Sequence, residues 1–87
     1  MSWWVYIIEA DDGSLYTGVT TDIARRFREH RSKVRGAKYF NGRRPLAVVY
    51  LEPQPDRGVA QRREAAIRKL KRADKLNLKQ SVMIFHE

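Results

Sequence analysis

The sequence has no cysteine, which excludes disulfides and thiolate metal sites outright. It has no apolar run near the roughly 20 residues needed to cross a bilayer, and no basic segment ahead of its N-terminal apolar stretch. Neither a membrane span nor a secretion signal is therefore read, and the expected compartment is the cytoplasm. Internal repeats and low-complexity tracts are also missing. With 87 residues the chain is expected to form a single domain over residues 1–87, close to the smallest size that one hydrophobic core holds without staples.

Acidic residues are scarce, ten against eighteen lysines and arginines, and the net charge is +8. The imbalance is local. Residues 21–44 carry nine basic residues against Asp22 and Glu29, and residues 61–79 carry eight against Glu64 and Asp74. Residues 1–20 hold Glu9, Asp11 and Asp12 with no base. Two basic blocks on an otherwise mildly acidic chain exceed what solubility requires. They point to a polyanion-binding surface, with nucleic acid as the expected partner.

The stretch from Val5 to His30 organises the rest. Trp3 to Ile8 is continuously apolar and rich in aromatic and β-branched residues, as in a strand covered on both faces and interior to its sheet. Leu15 to Thr20 is a second run of strand formers, and Asp11-Asp12-Gly13 between them is turn chemistry, with glycine free to take positive φ. That loop pairs Ala10 with Ser14, Ile8 with Tyr16 and Tyr6 with Gly18. Tyr6 and Tyr16 then share one face, whereas a one-residue slip would separate them.

After Thr20 the period becomes helical. Thr21 or Asp22 can cap, and Ile23, Phe27, His30 and Val34 recur along one side, with Gly36 as the expected stop near Val34 or Arg35. Residues 36–44, GAKYFNGRR, form a basic loop whose interleaved aromatics suit a nucleic acid backbone and a stacked base. Tyr39 and Phe40 equally suit the edge of a core. Leu46 to Leu51 reads as a third strand with both faces covered, and Pro53 to Asp56 as a turn ending in a helix cap. Ala60, Glu64, Ile67 and Lys71 then form a helical stripe flanked by Val59, Ala66 and Leu70. A short helix from Ala73 to Gln80 follows a break near Ala73-Asp74. Val82, Met83, Ile84 and Phe85 in the C-terminal segment are expected to pack on the body, with His86 solvated.

Two residues do not suit their positions. Arg26 borders the apolar stripe of the first helix, and Glu64 sits within the stripe of the second. An unpaired buried carboxylate costs several kcal/mol or is protonated, so Glu64 needs an arginine or a metal ion. A Glu64–Arg26 ion pair would satisfy both residues with no function, and snorkelling along the core edge would also account for Arg26.

Val5-Tyr6-Ile7, Tyr16-Thr17-Gly18, Arg26, His30 and Glu64, in this order and spacing, resemble the signature of the GIY-YIG nuclease superfamily, specifically its small stand-alone bacterial members. The resemblance runs from about Trp4 to about Leu78. It implies an α+β domain, a three-stranded antiparallel sheet flanked by helices, that cleaves nucleic acid. It departs from the family pattern in its first triplet, Val-Tyr-Ile in place of Gly-Ile-Tyr. By the same resemblance Glu64 is the metal ligand, Arg26 stabilises the phosphate, and His30 positions phosphate or supports the tyrosines. Tyr6 is the general base with Tyr16 as its partner, although the two tyrosine roles are open to exchange. Asn77 is the candidate for an asparagine that follows the glutamate helix.

The acidic inventory supports one metal ion. Only Glu64 reads as both buried and near the site, and one carboxylate with waters and a substrate phosphate is how a single Mg2+ or Mn2+ is held. Tyrosine has a pKa of roughly 10, so base chemistry at neutral pH needs a cation to favour the phenolate. Gly18, Arg25, Lys38, Tyr39, Arg43 and Arg44 are the candidate nucleic-acid contacts. The reading is a metal-dependent endonuclease on DNA, structure-selective or weakly sequence-selective, in repair or recombination, with a protein partner as one means of targeting. The alternative is a non-catalytic DNA- or RNA-binding module that keeps the fold. DNA affinity is expected to fall steeply with added salt, because phosphate contacts release condensed counterions. A flat salt response in a binding titration would contradict the basic-block reading.

Overall fold

A computed structural model describes residues 2–32 and 35–81. Val34 and the segment from Val82 to His86 lie outside the described residues. The elements in order are β1 (Trp3–Ala10), β2 (Leu15–Thr20), α1 (Ile23–Ser32), a 3-10 turn (Lys38–Phe40), β3 (Pro45–Gln54), α2 (Arg57–Arg68) and α3 (Arg72–Ser81). The strands form one antiparallel sheet in the order β2-β1-β3.

β1 is central because its residues are apolar on both faces, and Val5, Tyr6, Ile7 and Ile8 are all buried. The hairpin takes the expected register, with Tyr6 opposite Gly18 and Ile8 opposite Tyr16. Gly13 has φ +83°, and its N–H donates to Ala10 O at 2.9 Å, closing a three-residue turn that only a residue at ease in the left-handed region completes without strain. Period-two alternation then divides the core. Val5, Ile7 and Tyr50 meet Ala60 and Ile67 of α2, with Leu70 and Leu78 alongside. Tyr6, Ile8, Ala10 and Phe40 form the other layer, against Tyr16, Ile23 and Phe27.

Both helix caps are carboxylates. Asp22 Oδ1 accepts from Arg25 N at 3.0 Å, and Asp56 Oδ1 from Val59 N at 2.9 Å. At the far end of α1 the expected roles shift by one residue. Arg35 takes the positive φ of 61°, while Gly36 is needed for close approach, since a Cβ there would lie 2.9 Å from Glu29 O.

β3 meets the expectation that both of its faces are covered along its middle, where Val49 and Tyr50 pack in one layer and Val48 and Leu51 in the other, but not near its start. It is an edge strand, Leu46 is 55% exposed and Ala47 is exposed as well. A short apolar run has the same composition at an edge as in a centre, and Pro45 and Pro53 within this strand are typical of an edge. The break between α2 and α3 falls at residues 69–71, ahead of Ala73-Asp74. Asp74 lies in the first turn of α3, where the helix dipole favours a carboxylate. Ala66 and Lys71, expected on or beside the α2 stripe, are exposed.

Candidate active site

The site begins with a phenol that crosses a strand. Tyr6 rises from β1 and lies over β2 at Gly18, where a Cβ would come within 2.6 Å of the Tyr6 Cζ atom. Only glycine leaves room for the ring. The Tyr6 hydroxyl meets His30 Nε2 at 3.0 Å, both residues being buried. His30 reaches it because Ile23, Phe27 and His30 share the apolar side of α1.

The direction of this hydrogen bond follows from the other ring nitrogen. Ala37 N–H donates to His30 Nδ1 at 3.2 Å, so the neutral imidazole carries its proton on Nε2 and donates to the Tyr6 oxygen. Burial, with Arg26 adding and Glu29 opposing, lowers the His30 pKa from 6.5 to about 4. The imidazole is thus a neutral donor at physiological pH. Arg26 is close enough to the phenol for its charge to oppose the rise in the Tyr6 pKa. Its Nη1 donates to Glu29 Oε1 at 2.9 Å and to Arg35 O at 2.6 Å. Burial pushes the Tyr6 pKa well above 10, with Tyr16 and Glu64 adding and Arg26 opposing.

Tyr16 completes the aromatic wall. Its ring centroid lies 6.3 Å from Tyr6, 5.3 Å from His30, 5.2 Å from Phe40 and 5.1 Å from Tyr39. Phe40 is a core residue, 4.7 Å from the His30 ring.

Glu64 comes from the opposite helical layer, around the edge of β2. It does not pair with Arg26. Its Oε2 pairs with Arg68 Nη2 at 3.1 Å, and that same nitrogen donates to Thr17 O at 3.3 Å, with the guanidinium 5.9 Å from the Tyr16 ring centroid. The hypothetical Glu64–Arg26 bridge is thus replaced by two local ones, because residues three or four apart on a helix are already neighbours. Arg68 is the site residue that sequence reasoning missed. Its position four residues after Glu64 on one helix was the available signal.

Among the expected nucleic-acid contacts, Arg25, Lys38 and Arg44 are exposed. Arg43 is engaged with Asp12 Oδ2 at 2.8 Å and with Tyr39 O at 2.9 Å, and it stacks 4.3 Å over the Tyr39 ring. Asn77 is exposed on α3 and takes no part in the contacts above. Arg28, Arg31 and Ser32 line a shallow depression of about 330 Å3 on the outer side of α1 that the sequence reading did not single out. Among the described residues, no three His, Asp or Glu side chains gather in a way that could hold a metal ion.

The profile of the GIY-YIG catalytic domain matches residues 2–77. The chain belongs to the GIY-YIG family. It is 52% identical to a UPF0213 protein of Desulfotalea psychrophila over 79% of this chain, and it spans 63% of that relative's length. It is 47% identical to a UPF0213 protein of Syntrophus aciditrophicus, over 86% of each chain. The solution NMR structure of a UPF0213 protein from Bacillus halodurans is similar, with 44% identity and a TM-score of 0.56 over 90% of this chain and 82% of that one. Among the described residues no helix is long and apolar enough to cross a membrane.

Two tests address the geometry of this GIY-YIG site. Gly18→Ala forces its methyl group into the Tyr6 ring and is expected to cost about 1–3 kcal/mol in urea unfolding. An unchanged midpoint would mean that the phenol does not cross β2 there. His30 takes up a proton near pH 6.5 when unfolded but only near pH 4 when folded. Stability is therefore fully present above pH 6.5 and declines as pH falls towards 4, by at most about 3 kcal/mol. His30→Gln should remove most of that slope, and an identical slope in wild type and variant would place the titration elsewhere.

Proposed function

We propose that the protein is a metal-dependent endonuclease that hydrolyses phosphodiester bonds in DNA. The observation that carries this reading is the convergence on one phenol. Tyr6 Oη accepts from the His30 Nε2–H and lies near the Arg26 charge, and Glu64 approaches from the other layer. Pure phosphate binding has no need of a partly covered carboxylate or of a buried tyrosine held by a histidine donor beside an arginine.

In this reading Tyr6 is the base that takes the proton of the attacking water. Its environment works in two directions, since burial favours the phenol while the His30 donor and the nearby Arg26 charge favour the phenolate. Arg26 also faces the charge that develops on the phosphate, in a largely covered site where such a contact is strong. Tyr16 packs against both Tyr6 and His30 and bounds the site. Glu64 is the residue to hold a divalent ion, Mg2+ or Mn2+. One carboxylate oxygen with waters and a substrate phosphate suits such an ion, and the absence of a carboxylate cluster among the described residues fits one metal better than two. That ion would polarise the phosphate and lower the pKa of bound water.

Lys38, Arg25 and Arg44 supply exposed cations for the nucleic acid backbone. Phosphate contacts position a duplex without reading its sequence. The reading therefore favours selection by DNA structure, as repair or recombination intermediates would require.

The test is cleavage of labelled DNA and RNA structures by wild type, Glu64→Ala and Arg26→Ala, with Mg2+, Mn2+ or EDTA. Cleavage is expected to require metal and to drop at least about 100-fold in each variant, with binding retained. Undiminished cleavage by both variants would end these assignments. Binding without cutting of any structure by wild type would favour the non-catalytic module.

A further inference from the structure

Arg68 touches both halves of the site. A single nitrogen, Nη2, lies 3.1 Å from Glu64 Oε2 and 3.3 Å from Thr17 O. The Glu64 side chain is 18% exposed and the Arg68 side chain 54% exposed. The carboxylate is thus held in the layer between α2 and the sheet, and the arginine reaches it from the solvent side. An ordinary pair of residues four apart would remain on the helix surface. This one bends round to a peptide carbonyl in β2. Thr17 is itself buried, and its Oγ1 has no hydrogen-bond partner among the described residues. A carboxylate oxygen beside a peptide carbonyl is an oxygen pair of the kind that hard divalent cations take.

We propose that Arg68 and a divalent cation compete for the Glu64 carboxylate and the Thr17 carbonyl, with Arg68 Nη2 marking where the ion goes. The inference rests on the reading of Glu64 as the ion's ligand. Ion and guanidinium are both cations and cannot occupy one position, so loading the ion displaces Arg68. The displaced side chain is released on the exposed side, next to Tyr16. A half-exposed pair on one helix binds weakly, which makes Arg68 a readily displaced occupant.

The experiment is a Mn2+ titration of the full chain without nucleic acid, followed by electron paramagnetic resonance at 0.15 M salt. It compares wild type, Arg68→Gln, Glu64→Gln and Arg62→Gln. Arg68→Gln is expected to bind Mn2+ about two- to fivefold more tightly than wild type, the strength of the pair it removes. Arg62→Gln removes an equal, exposed charge that is screened from Glu64, and should change affinity by less than about 1.5-fold. Glu64→Gln should lose saturable binding. Equal or weaker binding by Arg68→Gln, with binding lost in Glu64→Gln, overturns the competition and leaves Glu64 as ligand. Equal tightening in Arg62→Gln also overturns it, since net charge would then explain the effect. Binding unchanged in Glu64→Gln overturns the ligand reading and the inference together. Both arginine changes alter exposed side chains, so the deciding comparison does not depend on whether Glu64→Gln folds.

Discussion

The buried contact between Tyr6 and His30 is the constraint on which the rest of the structure depends. Neither polar group tolerates an apolar layer alone, and leaving either unpaired would cost about 1–3 kcal/mol. Joining them requires β1 at the centre of the sheet, α1 packed on one face, and a glycine at position 18 so that the phenol can lie across β2. It also requires the chain after α1 to return, because Ala37 N–H holds the second imidazole nitrogen. Gly36 makes that return possible by lying against the backbone of Glu29 and His30. Phe40 then closes the layer over the imidazole. The direction of the Tyr6–His30 hydrogen bond is thus set by a backbone segment with no titratable group at the point of contact.

Charge is arranged on the same principle of early partners and free remainders. The acidic hairpin tip and the basic loop, opposite in sign along the sequence, are joined in space. Asp11 Oδ1 accepts from Arg44 N at 3.0 Å and Asp12 pairs with Arg43 at 2.8 Å. Bonds from Ser14 and then Arg43 hold the Asp12 pKa down to about 2. On the other face, Glu52 accepts from Tyr50, Gln54 and Arg63, and these bonds lower its pKa against the effect of burial. That cluster fastens β3 to α2 one residue before Glu64, so a structural ion pair helps set the rotation of the helix that carries Glu64. The cations left exposed, among them Lys38, Arg44, Arg28 and Arg31, are those available to a polyanion.

Much of this was legible because its causes are local. The turn at Asp11-Asp12-Gly13 and the period of two determine that Tyr6 and Tyr16 share a face. A change of period after Thr20 and a capping carboxylate place His30 on the inner side of α1. Arg26 and Glu64 stood out as charges on apolar stripes, which marked them as residues needing partners. The errors have equally physical causes. Hydrophobicity reports that β3 is a strand without reporting how far each face is covered, so the exposure of Leu46 and Ala47 was hidden. Gly36 is expected as a helix stop, and the structure uses its lack of a side chain for close approach to the backbone of α1.

The sequence by itself determined the hairpin register, the inward face of α1, the Asp56 cap, the absence of thiol chemistry and the two basic blocks. Each follows from residues within a few positions of one another. Only the tertiary structure decided which partner each charge and each buried polar group takes. Arg26 goes to Glu29, Glu64 to Arg68, Arg43 to Asp12 and His30 Nδ1 to Ala37 N–H. Ion pairs and hydrogen bonds act over a few ångströms, and several candidate partners lie at acceptable sequence separations. The choice among them is made by which backbones converge, and that is a property of the packed layers.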